Sequence, residues 1–207
     1  MSKEKSMQDF LDELASKAPT PGGGSAAAVM GAMGAALVSM VAHFTMGKKG
    51  YEAVESEAAG LLQQAESLRR QLTEMVRADV DAFNQVMGAY GLVRDTDAQK
   101  AERTLAIQAA LKQAADVPLA CAQLCAEVIR LTRPMAAIGN KNVISDAGVA
   151  VVAAEAALRS AALNVYVNIG AIKDEAYVAD RRQKLEQILA GSEQLTEEVY
   201  ALVKSRL

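Results

Sequence analysis

Apolar residues recur at helical spacing along nearly the whole chain. The first strong pattern carries no charged side chain between Pro21 and Lys48. Within it Ala27, Gly31, Ala35 and Ser39 form a ridge of small residues, and Val29, Met33, Leu37 and Val41 form a bulkier ridge beside it. A helix apolar all round, with a small ridge, is one that other helices surround closely, so this segment predicts a buried Gly/Ala-rich central helix. A second helix is predicted from about Tyr51 to Tyr90, with Leu61, Ala65, Leu68, Leu72, Val76, Phe83 and Met87 on one side. "LVRDTD" interrupts the pattern. A third helix follows from about Thr96 to Leu131, kinked near Ala114 by Pro118, with Pro134, Gly139 and Asn140 as stop and turn signals. A fourth, Ala-rich helix runs from about Val143 to Ile172, interrupted only by Glu155 and Arg159, and a last amphipathic one from about Asp174 to Lys204.

No strand pattern, fixed-period repeat or Pro/Gly/Ser-rich linker divides residues 1–207, so the expectation is an all-α, single-domain bundle of five or six long helices. Composition agrees: 51% of residues are hydrophobic and only 4% aromatic, with no Trp, which favours helices packed through small side chains. The net charge of −3 and dispersed Lys and Arg leave no basic footprint for a nucleic-acid partner. The charge-free segment is long enough to span a bilayer, but its Gly, Ala and Ser content would gain little on transfer to lipid, so no membrane is expected. "MSKEKSMQDFLDELASKAPT" is charged and lacks a secretory apolar core, which predicts a cytoplasmic protein. Cys121 and Cys125, one turn apart without a second pair, read as reduced core residues rather than a zinc site.

The polar residues that interrupt apolar faces carry the candidate chemistry. Asp79 falls in the middle of the apolar face from Leu72 to Tyr90, whereas Asp81 points to the opposite, solvated side. A buried carboxylate is either paired across helices or part of a site. "IGNKNVISDAGVA" brings Asn140, Lys141, Asn142, Ser145 and Asp146 to the start of an apolar helix, as caps or as site residues. Asn164 and Asn168 lie at i, i+4 in apolar surroundings, where they either bond across helices or line a polar ligand. "GGG" at 22 to 24, followed by Ser25 and a helix, offers free backbone N–H groups to an anion or a simple cap. Lys48 and Lys49 follow the other end of that helix, where cations suit its dipole, and His43, the only histidine, reads as a packed or capping residue.

Taken together, "TPGGGSAAA", "GKKGY", "DVDAFNQVM", "ADVPL" and "GNKNVISDAGVA" resemble the cyclodeaminase and methenyltetrahydrofolate cyclohydrolase family over nearly the whole chain. The resemblance implies an all-helical homodimer that binds tetrahydrofolate derivatives in a cleft associated with the subunit interface. By it, Gly22, Gly23, Gly24 and Ser25 match the family's Gly-rich loop, Asp79 its acidic residue four before Phe, and Asn142, Ser145 and Asp146 its Asn and Ser-Asp motif. Lys48, Lys49 and Gly50 stand where the family often has three lysines, and His43 where Asn is usual.

The implied activity is hydrolysis of 5,10-methenyltetrahydrofolate to 10-formyltetrahydrofolate. Asp79 or Asp146 would take a proton from the attacking water while the other carboxylate stabilises the cation. Lys48, Lys49, the Gly loop, Asn142 and Ser145 would bind the substrate, with no metal and no cofactor beyond it. The same scaffold suits a 5-formiminotetrahydrofolate cyclodeaminase that releases ammonia. A different class, a non-catalytic helical ligand-binding dimer, would use Asp79 and Asp146 only as structural partners of lysines.

Overall fold

The computed structural model describes residues 6–207 and builds them from seven α-helices: α1 (Met7–Leu14), α2 (Gly23–Thr45), α3 (Glu55–Tyr90), α4 (Asp97–Ile138), α5 (Ile144–Ile169), α6 (Glu175–Leu189) and α7 (Ser192–Lys204). Six of them have 13 residues or more, and no strand occurs among the described residues. Helices α2, α3, α4 and α5 share one hydrophobic core, with α7 against α4 and α5.

Helices α2 and α5 run antiparallel. Gly23 lies beside Asn164, Gly34 against Ala150 and Ala154, and Thr45 next to Asn140. At Gly34 the two backbones approach closely, since a methyl group there would sit 2.9 Å from the Ala150 carbonyl oxygen. The small ridge of α2 is buried as expected, but its bulky neighbour is divided: Val41 is buried, Val29 and Leu37 are half-buried, and Met33 is 53% exposed. In a single chain the other helices therefore do not enclose α2 on all sides. By length and composition α2 and the segment Lys141–Ile169 are each apolar enough to cross a membrane, and 56% and 50% of their most apolar windows are buried against neighbouring helices.

Two helix boundaries differ from the sequence reading. Helix α4 does not stop before Pro134 but continues to Ile138. An internal proline costs about 3 kcal/mol, and burial of Thr132, Met135 and Ala136, all at 0% exposure, offsets it. The last carbonyls of α4 are taken from afar: the Arg206 guanidinium donates to Ala136 O, to Ala137 O at 2.9 Å and to Gly139 O at 2.9 Å. The segment 174–204 is also two helices rather than one. Gly191, at φ +75°, adopts the left-handed conformation between α6 and α7.

Pro118 lies within α4, and the carbonyl it deprives of a partner, that of Ala114, accepts a 2.6 Å hydrogen bond from Asn168 Nδ2. Cys121 and Cys125 are free and buried, and Cys121 together with burial pushes the Cys125 thiol well up. Asp81 is exposed, 3.4 Å from Arg77.

Candidate functional site

The glycines at 22 to 24 build an uncapped helix start. Gly22 is the N-cap in extended backbone, Gly23 and Gly24 are the first helical residues, and no side chain caps the orphan N–H groups. None of the three has positive φ, so conformational freedom is not what selects glycine here. Space is the reason at Gly24. A methyl group there would lie 2.2 Å from Asp79 Oδ1 and 2.7 Å from its Cγ, while one at Gly23 would meet only Asn164 at 3.6 Å and one at Gly22 would meet nothing within 4 Å.

Helix α3 delivers Asp79 to this helix start, half-buried. Its Oδ2 accepts a 2.7 Å hydrogen bond from Ser25 Oγ, and Ser25 is itself fully buried. Asn164 uses its amide NH₂ on its own helix, donating to Ser160 O at 2.9 Å, and presents the rest of its head to Gly23. Gly23, Gly24, Ser25, Asp79 and Asn164 therefore form one polar cluster at the α2 start, where a free helix N-terminus and a carboxylate stand side by side.

The other predicted residues collect at the opposite end of the α2–α5 pair. Lys48 and Lys49 are exposed in the turn after α2, flanked by Gly47 at φ +67° and Gly50 at φ +92°. The Gly50 N–H contacts the Glu52 carboxylate and holds it below its usual range. Tyr51 Oη accepts from Lys141 N at 3.0 Å, tying the lysine turn to the start of α5. Asn140 is buried and bridges both segments of this corner: its Nδ2 donates to Phe44 O at 2.7 Å and its Oδ1 accepts from Asn142 N at 3.1 Å. Asn142 and Ser145 are exposed and Asp146 half-buried. His43, expected to pack or cap, is exposed in the last turn of α2.

Asp79 and Asp146 are thus not neighbours within one chain. Asp146 and Asn164 are separated by 18 residues of α5, about 27 Å at 1.5 Å per residue. Their spacing in sequence could not reveal this, because it follows from the antiparallel pairing of α2 and α5. The sequence reading missed the Tyr51 link, whose signal was the tyrosine closing "GKKGY"; Asn140, read as a turn and capping residue, is one, its side chain capping the short turn at 141–143.

Between the two ends lies an open apolar face. On α2 Met33 and Phe44 are 53% and 55% exposed, and on α5 Val149, Val152, Leu163 and Val167 are exposed at helical spacing. A groove of about 640 Å³ between α5 and α7 adjoins it, lined by Ser145, Val149, Val152, Tyr200, Val203 and Leu207. Among the described residues no group of three His, Cys, Asp or Glu side chains is placed to hold a metal ion.

A family model described as formiminotransferase-cyclodeaminase matches residues 6–187. A methenyltetrahydrofolate cyclohydrolase of Methylorubrum extorquens is 56% identical over 207 residues, covering all of both chains. A formimidoyltransferase-cyclodeaminase of Rattus norvegicus is 33% identical over 90% of this chain, which spans only 34% of that protein. Among solved structures, formiminotetrahydrofolate cyclodeaminase from Thermotoga maritima superposes with a TM-score of 0.83 at 34% identity, covering 100% of this chain and 98% of the other.

Proposed function

Since the chain belongs to the formiminotransferase-cyclodeaminase family, we propose that it is an enzyme that hydrolyses 5,10-methenyltetrahydrofolate to 10-formyltetrahydrofolate. The observation that carries this reading is the end-to-end likeness, at 56% identity, to a protein of that name. In the substrate the bridging carbon lies between two nitrogens that share a positive charge, so it is already electrophilic. Water bonds to that carbon, its bond to one ring nitrogen breaks, one water proton passes to that nitrogen and the other is released.

Asp79 is assigned the proton transfer, because it is the carboxylate beside the free α2 start, whose N–H groups suit developing negative charge on oxygen. Lys48 and Lys49, with Lys141 nearby, are assigned to the anionic tail of the substrate. Asp146, Asn142 and Ser145 belong to that same end. We further propose a homodimer in the cytoplasm. A two-fold axis perpendicular to α2 would cover the open apolar face and set the Asp79 end of one copy opposite the Lys48 and Asp146 end of the other, so both sets of residues would meet one substrate. No cofactor beyond the folate enters this scheme.

The test is the absorbance decay of 5,10-methenyltetrahydrofolate over its uncatalysed hydrolysis, with Asp79→Asn as control. Acceleration that the variant loses supports the reading, and no acceleration refutes it. The second reading, cyclisation of 5-formiminotetrahydrofolate with ammonia release, is favoured by the 0.83 TM-score to a cyclodeaminase, and ammonia production distinguishes it.

A further inference from the structure

We propose that Ser25 is a positioning residue that acts through Asp79 rather than a group that touches substrate, an inference that rests on the catalytic assignment of Asp79. Ser25 has no exposed surface. Its hydroxyl carries one proton and has two acceptors in reach, Asp79 Oδ2 at 2.7 Å and Val76 O at 3.5 Å. The shorter distance is that of a well-formed O–H···O bond and the longer is near the limit of one, so the proton goes to the carboxylate.

Asp79 is then held from two sides. Gly24 leaves the gap into which Oδ1 projects, and Ser25 fixes Oδ2. A short side chain tethered in this way presents one oxygen in one direction, which is what a proton transfer to a positioned water requires. Ser25 lies on the first turn of α2, so the same turn that offers its N–H groups to an anion also sets the carboxylate beside them. Sequence alone assigns Ser25 to the loop that faces the ligand. Burial moves it one layer behind.

The experiment compares Ser25→Ala, Ser25→Cys and Asp79→Asn in steady-state hydrolysis of 5,10-methenyltetrahydrofolate, with thermal unfolding to establish that each is folded. A thiol fills the space of the hydroxyl, being somewhat larger, but is a weak donor. The expected result is a fall in kcat of about ten- to a hundredfold for both Ser25 variants, with KM within about twofold of the parent. Wild-type kcat in Ser25→Cys would show a packing role and overturn the proposal, as would a loss confined to KM, while Asp79→Asn remains inactive. Full turnover in Asp79→Asn would instead overturn the catalytic assignment and this proposal with it.

Discussion

Replacing Gly24 by Ala separates geometry from stability more sharply than any other single change. The new methyl would sit 2.2 Å from Asp79 Oδ1 and 3.0 Å from Oδ2, so the carboxylate must retreat by about 1 Å to reach ordinary contact. It cannot do so and keep the 2.7 Å bond from Ser25. Losing a hydrogen bond to a charged group costs about 1.5–3 kcal/mol, with the lower end apt for a half-exposed carboxylate. Ala in place of Gly in a helix returns up to about 1 kcal/mol. The net destabilisation is about 0.5–2 kcal/mol, a fall of a few degrees in Tm for a chain of this length. Turnover responds far more, because a misplacement of about 1 Å costs on the order of a hundredfold. Gly23→Ala meets only ordinary contacts and Gly22→Ala meets none, so both should stay within a few-fold of the parent. The methenyltetrahydrofolate absorbance assay and thermal unfolding, run on all three, give the ranking. A fully active Gly24→Ala, or a Gly23→Ala as damaged as Gly24→Ala, would refute the argument.

If the two ends of α2 from different copies make one site, mixed dimers of Asp79→Asn and Asp146→Asn contain one intact site each. An equal, re-equilibrated mixture of the two inactive proteins should then recover about a quarter of parental activity by random pairing, and no recovery would exclude a shared site. Asn168→Ala strands the Ala114 carbonyl and should cost about 1–3 kcal/mol in chemical denaturation. That cost should shrink in the Pro118→Ala background, where the backbone N–H at 118 returns to the helix ladder. Burial first, and then Asp116, push the Tyr177 hydroxyl up from 10.0 to about 12. A tyrosine that keeps its proton longer when folded contributes stability fully present below pH 10 and lost as pH rises toward 12. Urea midpoints between these pH values should therefore fall in the parent, and fall less in Tyr177→Phe.

How much of this was legible in the sequence depends on how local the cause is. The helical period, the small ridge of α2 and the reduced cysteines follow from spacing and composition, and the structure bears them out. Asp79 was visible as a polar residue on an apolar face. What Asp79 touches was not, because Ser25 and Gly24 come from a helix whose register against α3 is set by packing. Pro134 read as a stop because local cost was counted without the buried Met135 and Ala136 beside it. The break at Gly191 had its signal in the glycine itself, but the apolar period continues on either side and masked it. Asn168 and Arg206 each satisfy carbonyls of α4 from another helix or the C-terminal segment, a relation that no window of neighbouring residues contains.

Helix α6 is attached differently from the four core helices. Leu185 is its one buried residue. Beside the partly buried Val178, Ile188 and Leu189, its hold on α4 is polar: Lys112 to Asp174 at 2.7 Å, Arg181 to Asp116 at 2.6 Å and the Tyr177 hydroxyl to Asp116 at 2.7 Å, with the Arg181 guanidinium stacked on Tyr177 of the same helix. Contacts of this kind weaken with ionic strength, whereas the apolar packing of α2 against α5 does not. Added salt should therefore accelerate amide exchange in α6 selectively, through openings that leave the four-helix core closed. Such openings at the rim would leave in place the α2–α3 contact that holds Asp79 and the α5 start that carries Asp146.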